Sequence, residues 1–250
     1  MRGLFVAIIA ACVSVVASAE IVWPPNAGGG FTRNGLWRNV QARCLTAGAP
    51  RHADCAVVDR DRGLVLYKDA VGASHYLVIP DHPVTGVEDP RVWTGPRANG
   101  WAFGWEERQI VARAVGKPVP DTLIGLAVNS RASRSQDQLH IHLDCISGAA
   151  QKFLSQSGIT PAWRAFTFAG KRVLAKRVPA DQPVLAFNPF DEVRGDMGTA
   201  PGTAIAPQDR GIFLAYTGGS FVVVDEPVDL APGNNGHASD FLDRRCKLGR

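Results

Sequence analysis

His140 and His142 stand two residues apart in Gln138-Leu139-His140-Ile141-His142-Leu143-Asp144-Cys145, where polar and apolar side chains alternate strictly. Side chains on a strand point to alternate faces. Gln138, His140, His142 and Asp144 therefore share one face, and Leu139, Ile141, Leu143 and Cys145 the other. Two imidazoles on one rigid face lie about 7 Å apart. A short polar loop carrying Arg131 and Arg134 precedes them, after a second apolar run over residues 123–128. Three chemistries suit the pair: a polar strand face packed under a loop, a zinc site completed by Asp144 or Asp137, or nucleophilic attack on a phosphate. The arginines favour the last, because guanidinium clamps phosphate and repels a metal ion. No third strong ligand stands in line either, since Gln138 occupies that position.

The elements that must position these residues follow from periodicity. Strands are expected over 63–69 and 74–80, joined by a turn containing Gly72. A helix is expected over 100–115, with Asn99 as N-cap, Gly116 and Pro118 as the stop, and Trp101, Trp105, Ala112 and Val115 as the buried stripe. Strands over 123–128 and 139–146 follow. Ahead of them, Leu36, Val40 and Cys44 sit four apart, as one stripe of a short helix. This order makes an α+β unit over 36–150, a mainly antiparallel sheet with one helix packed across it.

From residue 150 the signal weakens. Strands are expected over 171–178, 183–187, 212–217 and 220–225, the last two flanking a Gly218-Gly219 hairpin turn. A Gly- and Pro-rich loop spans 195–209, and a helical turn or two 239–246. The region 151–250 thus repeats the strand content of the first half without a histidine pair. It is either a degenerate second copy completing one continuous sheet or an appended subdomain of the same globule.

The 250-residue chain is 46% hydrophobic and 20% charged with a formal charge of +4, an ordinary globular composition. Its basic residues are dispersed, and no basic stripe with interleaved aromatics indicates nucleic acid. Residues 1–19 read as a signal peptide or membrane anchor: Arg2, an apolar run, then Ala17-Ser18-Ala19. Residues 20–35 read as a Gly/Pro-rich tether. Export leaves Cys44, Cys55, Cys145 and Cys246, an even count that suits two disulfides in an oxidising compartment. Three connectivities are open. Cys44–Cys55 closes the small loop, and Cys145–Cys246 then ties the end of the chain to the histidine strand.

The stretch from Ser74 to Ile146 resembles the histidine triad (HIT) superfamily, whose signature alternates three histidines with apolar residues on a strand. More narrowly, the chain is similar to the CDP-diacylglycerol pyrophosphatase family. The similarity lies in Leu126-Ala127-Val128-Asn129-Ser130-Arg131, Arg134-Ser135-Gln136, His140-Ile141-His142, Cys145-Ile146 and Lys117-Pro118-Val119-Pro120-Asp121, together with the other mature cysteines and the exported N-terminus. Gln138 departs from the pattern at the first triad position.

The resemblance implies a HIT-like fold and hydrolysis of the CDP-diacylglycerol diphosphate bond to CMP and phosphatidate. His140 is the implied nucleophile, through a CMP-histidine intermediate, with His142 donating to a non-bridging oxygen and no metal or cofactor called for. Asn129 and Ser135 match family positions that contact phosphate. Arg131 and Arg134 are expected to clamp the diphosphate, and Gln138 to hydrogen-bond it. The partner is a lipid nucleotide at a membrane surface, with the protein facing the periplasm or released into it. A soluble nucleotide diphosphate derivative is the alternative substrate, and a periplasmic metal- or nucleotide-binding protein without turnover the alternative class. His52, His75, His82 and His237 have no comparable context, and His75, at the start of a strand, reads as structural.

Overall fold

In the computed structural model the described residues are 33–48, 50–94, 98–196, 206–228 and 233–249. The expected signal at 1–19, and the tether as far as residue 32, lie outside them.

The chain enters through α1 (Gly35–Val40), which runs on as a π-turn over Gln41–Leu45 and buries Leu36, Val40 and Cys44 at the spacing the sequence indicates. An antiparallel meander follows, of β1 (Cys55–Asp59), β2 (Leu64–Lys68) and β3 (Tyr76–Pro80). Strand β1 is an addition to the expected elements. It is a half-buried edge without clear alternation, so periodicity could not find it. A single turn, α2 (Pro90–Trp93), is capped by the Asp89 carboxylate.

The helix expected over 100–115 is two helices, α3 (Gly100–Glu106) and α4 (Gln109–Val115). Asn99 caps the first through the Ala102 N–H at 3.1 Å, and Gly116 ends the second with φ +80°. The break comes at Arg108. Its guanidinium pairs with Asp121 at 2.8 and 2.9 Å and donates to the Trp105 carbonyl at 2.7 Å, occupying an acceptor that an unbroken helix would use.

β4 (Ile124–Val128) and β5 (Ile141–Cys145) follow, then α5 (Gly148–Leu154), β6 (Arg164–Phe168), β7 (Lys171–Pro179), α6 (Pro189–Asp196), β8 (Arg210–Tyr216) and β9 (Ser220–Pro227). Two expectations fail here. Residues 183–187 are irregular rather than a strand, and residues 195 and 196 belong to α6 rather than to a loop. The tail forms a 3-10 turn over Ala238–Phe241. Gly218 and Gly219 turn β8 into β9 with φ of +72° and +113°, values that favour glycine.

The nine strands of the described residues form one antiparallel sheet in the order β1-β2-β3-β5-β4-β8-β9-β7-β6. The protein is therefore α+β, and the second half extends the first directly through β4 and β8, Leu126 facing Leu214. One sheet face carries the main core, where Trp101, Phe103 and Trp105 of α3 and Phe190 of α6 are buried. The other face carries two smaller clusters. In one, α1 covers Val65, Tyr67, Leu77 and Ile79; in the other, Phe153 of α5 and Phe241 cover Ala127, Phe213, Val222 and Val224. His142 pairs with Leu77 on one side and Ala127 on the other, so it lies in the seam between these clusters. Both expected disulfides are present. Cys44–Cys55 ties the π-turn to β1, and Cys145–Cys246 ties β5 to the tail.

Candidate active site

Strand β5 and the residues leading into it bury Gln138, His140, His142 and Asp144 to at most 6% exposure. The alternation in sequence is therefore real in the fold, but both faces are covered. A buried imidazole needs partners, and those partners determine where its protons sit.

His140 has one. Its Nδ1 lies 2.6 Å from the Gln138 carbonyl, which can only accept, so Nδ1 carries the proton and Nε2 keeps its lone pair. Nε2 has no hydrogen-bond partner among the described residues. Burial pushes the ring below the ordinary imidazole range, against the pull of that carbonyl, so it is neutral at pH 7. A neutral imidazole with a fixed tautomer and an unengaged Nε2 is equipped to act as a nucleophile.

The second imidazole belongs to a longer chain of contacts. The Asn129 amide nitrogen reaches His142 Nε2 at 3.4 Å and the Ser239 hydroxyl at 3.1 Å, while its oxygen accepts from the Ser239 N–H at 3.0 Å. That last bond orients the amide, so His142 Nε2 is an acceptor and its Nδ1 must carry the proton. Nδ1 meets His75 Nε2 at 2.8 Å, leaving His75 Nδ1 to donate toward the Val71 carbonyl at 3.2 Å and Asp69 at 3.1 Å. The line runs Asn129, His142, His75, Asp69. The His75 and His142 rings stack at 5.0 Å, and His140 stands edge-on to His142 at 4.9 Å.

Charge along this line is graded. Burial, with the neighbouring His140 and His75 adding to it, holds His142 well below the ordinary imidazole value. At the far end burial pushes the Asp69 carboxyl up, but the His75 contact, with smaller help from the Val71 N–H and the Arg244 charge, outweighs it and leaves Asp69 lowered. Asp144 lies further along the face, accepting from the Ser74 hydroxyl at 2.6 Å, and burial raises it to about 6.

His75, expected to be structural, is thus in direct contact with His142. Its parity on β3 was readable. The pairing that puts Leu77 opposite His142, and so His75 beside it, was not. Asp69, Ser239 and Arg244 were missed for the same reason: they come from a turn and a tail distant in sequence.

The other expected residues divide. Asn129 touches His142 directly. Ser135 and Arg131 lie exposed on the loop between β4 and β5, and the Arg131 N–H is held by the Gln208 carbonyl at 2.8 Å. Arg134 is buried and faces Glu88 and Asp137, so its charge is compensated within the protein. Gln138 spends its amide on the main chain, accepting from Val84 N–H and donating to the Pro80 and His82 carbonyls at 3.4 and 3.0 Å. Among the described residues no group of three or more His, Cys, Asp or Glu side chains is arranged to hold a metal ion. No helix among them is long and apolar enough to cross a membrane.

Comparison with known proteins bears on this geometry. The CDP-diacylglycerol pyrophosphatase of Yersinia pestis is 29% identical over 222 residues, covering 85% of this chain and 84% of that protein. A Mycobacterium leprae (strain TN) protein named "Probable CDP-diacylglycerol pyrophosphatase" is 32% identical over 163 residues, covering 62% of this chain and 60% of that protein. The family model described as CDP-diacylglycerol pyrophosphatase matches residues 31–250, a span that takes in every residue of the histidine line and the tail beside it. The chain belongs to the CDP-diacylglycerol pyrophosphatase family.

Proposed function

We propose that this protein is a CDP-diacylglycerol diphosphatase that hydrolyses its substrate to CMP and phosphatidate through a covalent CMP-histidine intermediate. The family and the names of its relatives support the enzyme and the substrate. The observation that carries the covalent route is His140, whose Nδ1–H is held by the Gln138 carbonyl while Nε2 is unengaged.

In this reading His140 Nε2 attacks the cytidylyl phosphorus. The bond from that phosphorus to the bridging oxygen breaks, and phosphatidate leaves with the electron pair. A phosphate monoester has a second pKa near 6, so it departs without a strong acid. The Gln138 carbonyl steadies the positive charge that develops on the substituted ring. Water then attacks the phosphorus, gives up its proton, and frees CMP and His140. His142 is the acceptor for that proton. Its resting Nε2 is a lone pair, so it donates to a phosphoryl oxygen only after taking a proton, and Asp69 stabilises the resulting cation through His75.

Asn129 orients His142 and stands within reach of a bound phosphate, while Ser135 and Arg131 offer exposed donors from the loop. We assign Gln138 and Arg134 to positioning. Gln138 holds His140 and the residue 80–84 segment, and Arg134 holds the loop against Glu88.

The same proposal extends to the fold. Residues 36–150 form a HIT-like catalytic unit and 151–250 a degenerate second one. Spatial order supports this, since β4-β5-β3-β2 and β8-β9-β7-β6 run outward in mirror order from the β4–β8 junction. A helix follows β3, another follows β7, and a 3-10 turn precedes both β4 and β8. Residues 1–19 are an export signal or anchor, and the two disulfides suit an oxidising compartment such as the periplasm.

The test compares CDP-diacylglycerol in mixed micelles with water-soluble CDP-alcohols. The reading predicts CMP and phosphatidate as products and a clear preference for the lipid. Equal turnover of the soluble compounds would make the acyl chains irrelevant and replace the substrate class.

A further inference from the structure

Of the two arginines expected to clamp the diphosphate, Arg134 is already paired with Glu88 and Asp137, and Arg131 lies exposed on the loop. Lys68 is also engaged, donating to the Asp69 and Gly72 carbonyls at 2.7 Å each. A diphosphate brought to buried neutral imidazoles still needs a cation, and the tail carries one.

We infer that Arg244 is the diphosphate-binding cation of this site, delivered by the C-terminal tail and held there by the Cys145–Cys246 disulfide. This rests on the diphosphatase reading and deepens it.

The geometry is specific. The Asp243 N–H donates to the Cys145 carbonyl at 2.7 Å, and Cys246 is bonded to Cys145, so Arg244 is clamped between two attachments to the end of the histidine strand. On its other side it packs against the turn after β2. A Cβ on Gly72 would lie 3.0 Å from the Arg244 carbonyl oxygen, 3.1 Å from Arg244 Cβ and 3.1 Å from His75 Cβ. With φ +89° as well, only glycine lets tail and turn approach so closely. Arg244 Cβ and His75 Cβ thus flank one α-carbon, which puts the arginine beside the Asp69–His75–His142 line.

No carboxylate among the described residues lies within ion-pair distance of the guanidinium. Asp243 spends its oxygens on the Arg245 and Lys247 N–H groups at 3.0 and 2.9 Å. Asp69 is close enough for the Arg244 charge to help hold its carboxyl down, and that same charge contributes to the lowering of His142. An incoming diphosphate is a stronger partner than Asp69, because a planar guanidinium binds phosphate oxygens bidentately.

The test uses the full-length protein with inorganic diphosphate as probe, followed by calorimetry so that binding is read without turnover. Arg244→Gln should weaken diphosphate binding at least 10-fold and raise KM for CDP-diacylglycerol similarly, with Arg244→Lys between the two and Arg245→Gln unchanged. Wild-type affinity in a folded Arg244→Gln protein, or no diphosphate binding by the wild type, would overturn the inference. A wild type that binds diphosphate through Arg244 but leaves CDP-diacylglycerol intact would instead remove the diphosphatase reading and keep the subsite.

Discussion

Strands β5 and β9 invite comparison, because each is a fully buried strand in the interior of the same sheet, separated by only β4 and β8. On the face that carries His142 in β5, the row continues through Ala127 and Phe213 to Val224 in β9. Under Phe241, β9 meets its burial with Val222 and Val224, and polar groups return only at its end, where the buried Glu226 carboxylate pairs with Lys171. β5 and the residue before it bury two imidazoles and a carboxyl; the Gln138 carbonyl just ahead of the strand holds His140, and His75, Asn129 and Ser74 reach the others from distant segments. Sheet position alone therefore does not make a site. What separates the two strands is the outer set of residues that fixes protons and orientation on one of them.

That contrast can be broken at several strengths. The largest effect is expected for His140→Ala, which should cut kcat/KM by about 10⁴-fold or more, as loss of a covalent nucleophile does. Its melting temperature should stay near wild type, and retained activity would end the special standing of β5. A support residue should matter less: His75→Ala or Asp69→Asn should cost roughly 10²-fold, in the range of proton-transfer assistance. Equal rates in wild type and Asp69→Asn would reduce that line to packing.

Acidity offers a third probe. His140 must be neutral to attack, and burial lowers its pKa, so log kcat/KM should stay level from pH 7 and decline only below 6.5 as the ring takes a proton. A decline beginning above pH 7 would mean the ring is not desolvated as described.

The smallest effects concern stability. The Asp144 carboxyl is raised from 3.8 to about 6 on folding, so the folded state holds its proton more tightly than the unfolded one. Its contribution therefore falls as pH rises between those values, by up to about 3 kcal/mol. Denaturant titration of wild type against Asp144→Asn should show that difference narrowing below pH 4. Val224→His, placing an imidazole in β9 without partners, should cost roughly 1–3 kcal/mol and confer no activity.

Much of this contrast was legible in the sequence. Strict alternation identified the β5 histidines and their parity, the Gly-Gly pair identified the β8–β9 hairpin, and the cysteine count led to both disulfides. The hidden part was whatever required knowing which strands pair. His75 is 67 residues from His142, and Ser239 is 110 from Asn129, so no local pattern connects them. The partners of the loop arginines were hidden for a related reason. Arg134 has its partner in Glu88, 46 residues away, and a cation looks unpaired in sequence until its carboxylate is found in space. Edge strands β1 and β6 escaped because half-exposed strands need no regular alternation.

The central claim is that one imidazole, kept neutral by burial and oriented by a single backbone carbonyl, carries the cytidylyl group. Protein mixed with cytidine-labelled CDP-diacylglycerol and quenched within the first turnover tests this directly. An acid-labile label retained on the wild-type protein, mapped to His140 and absent from His140→Ala, is the expected result. Wild-type protein that releases CMP while never retaining label would contradict it and point to direct attack by water.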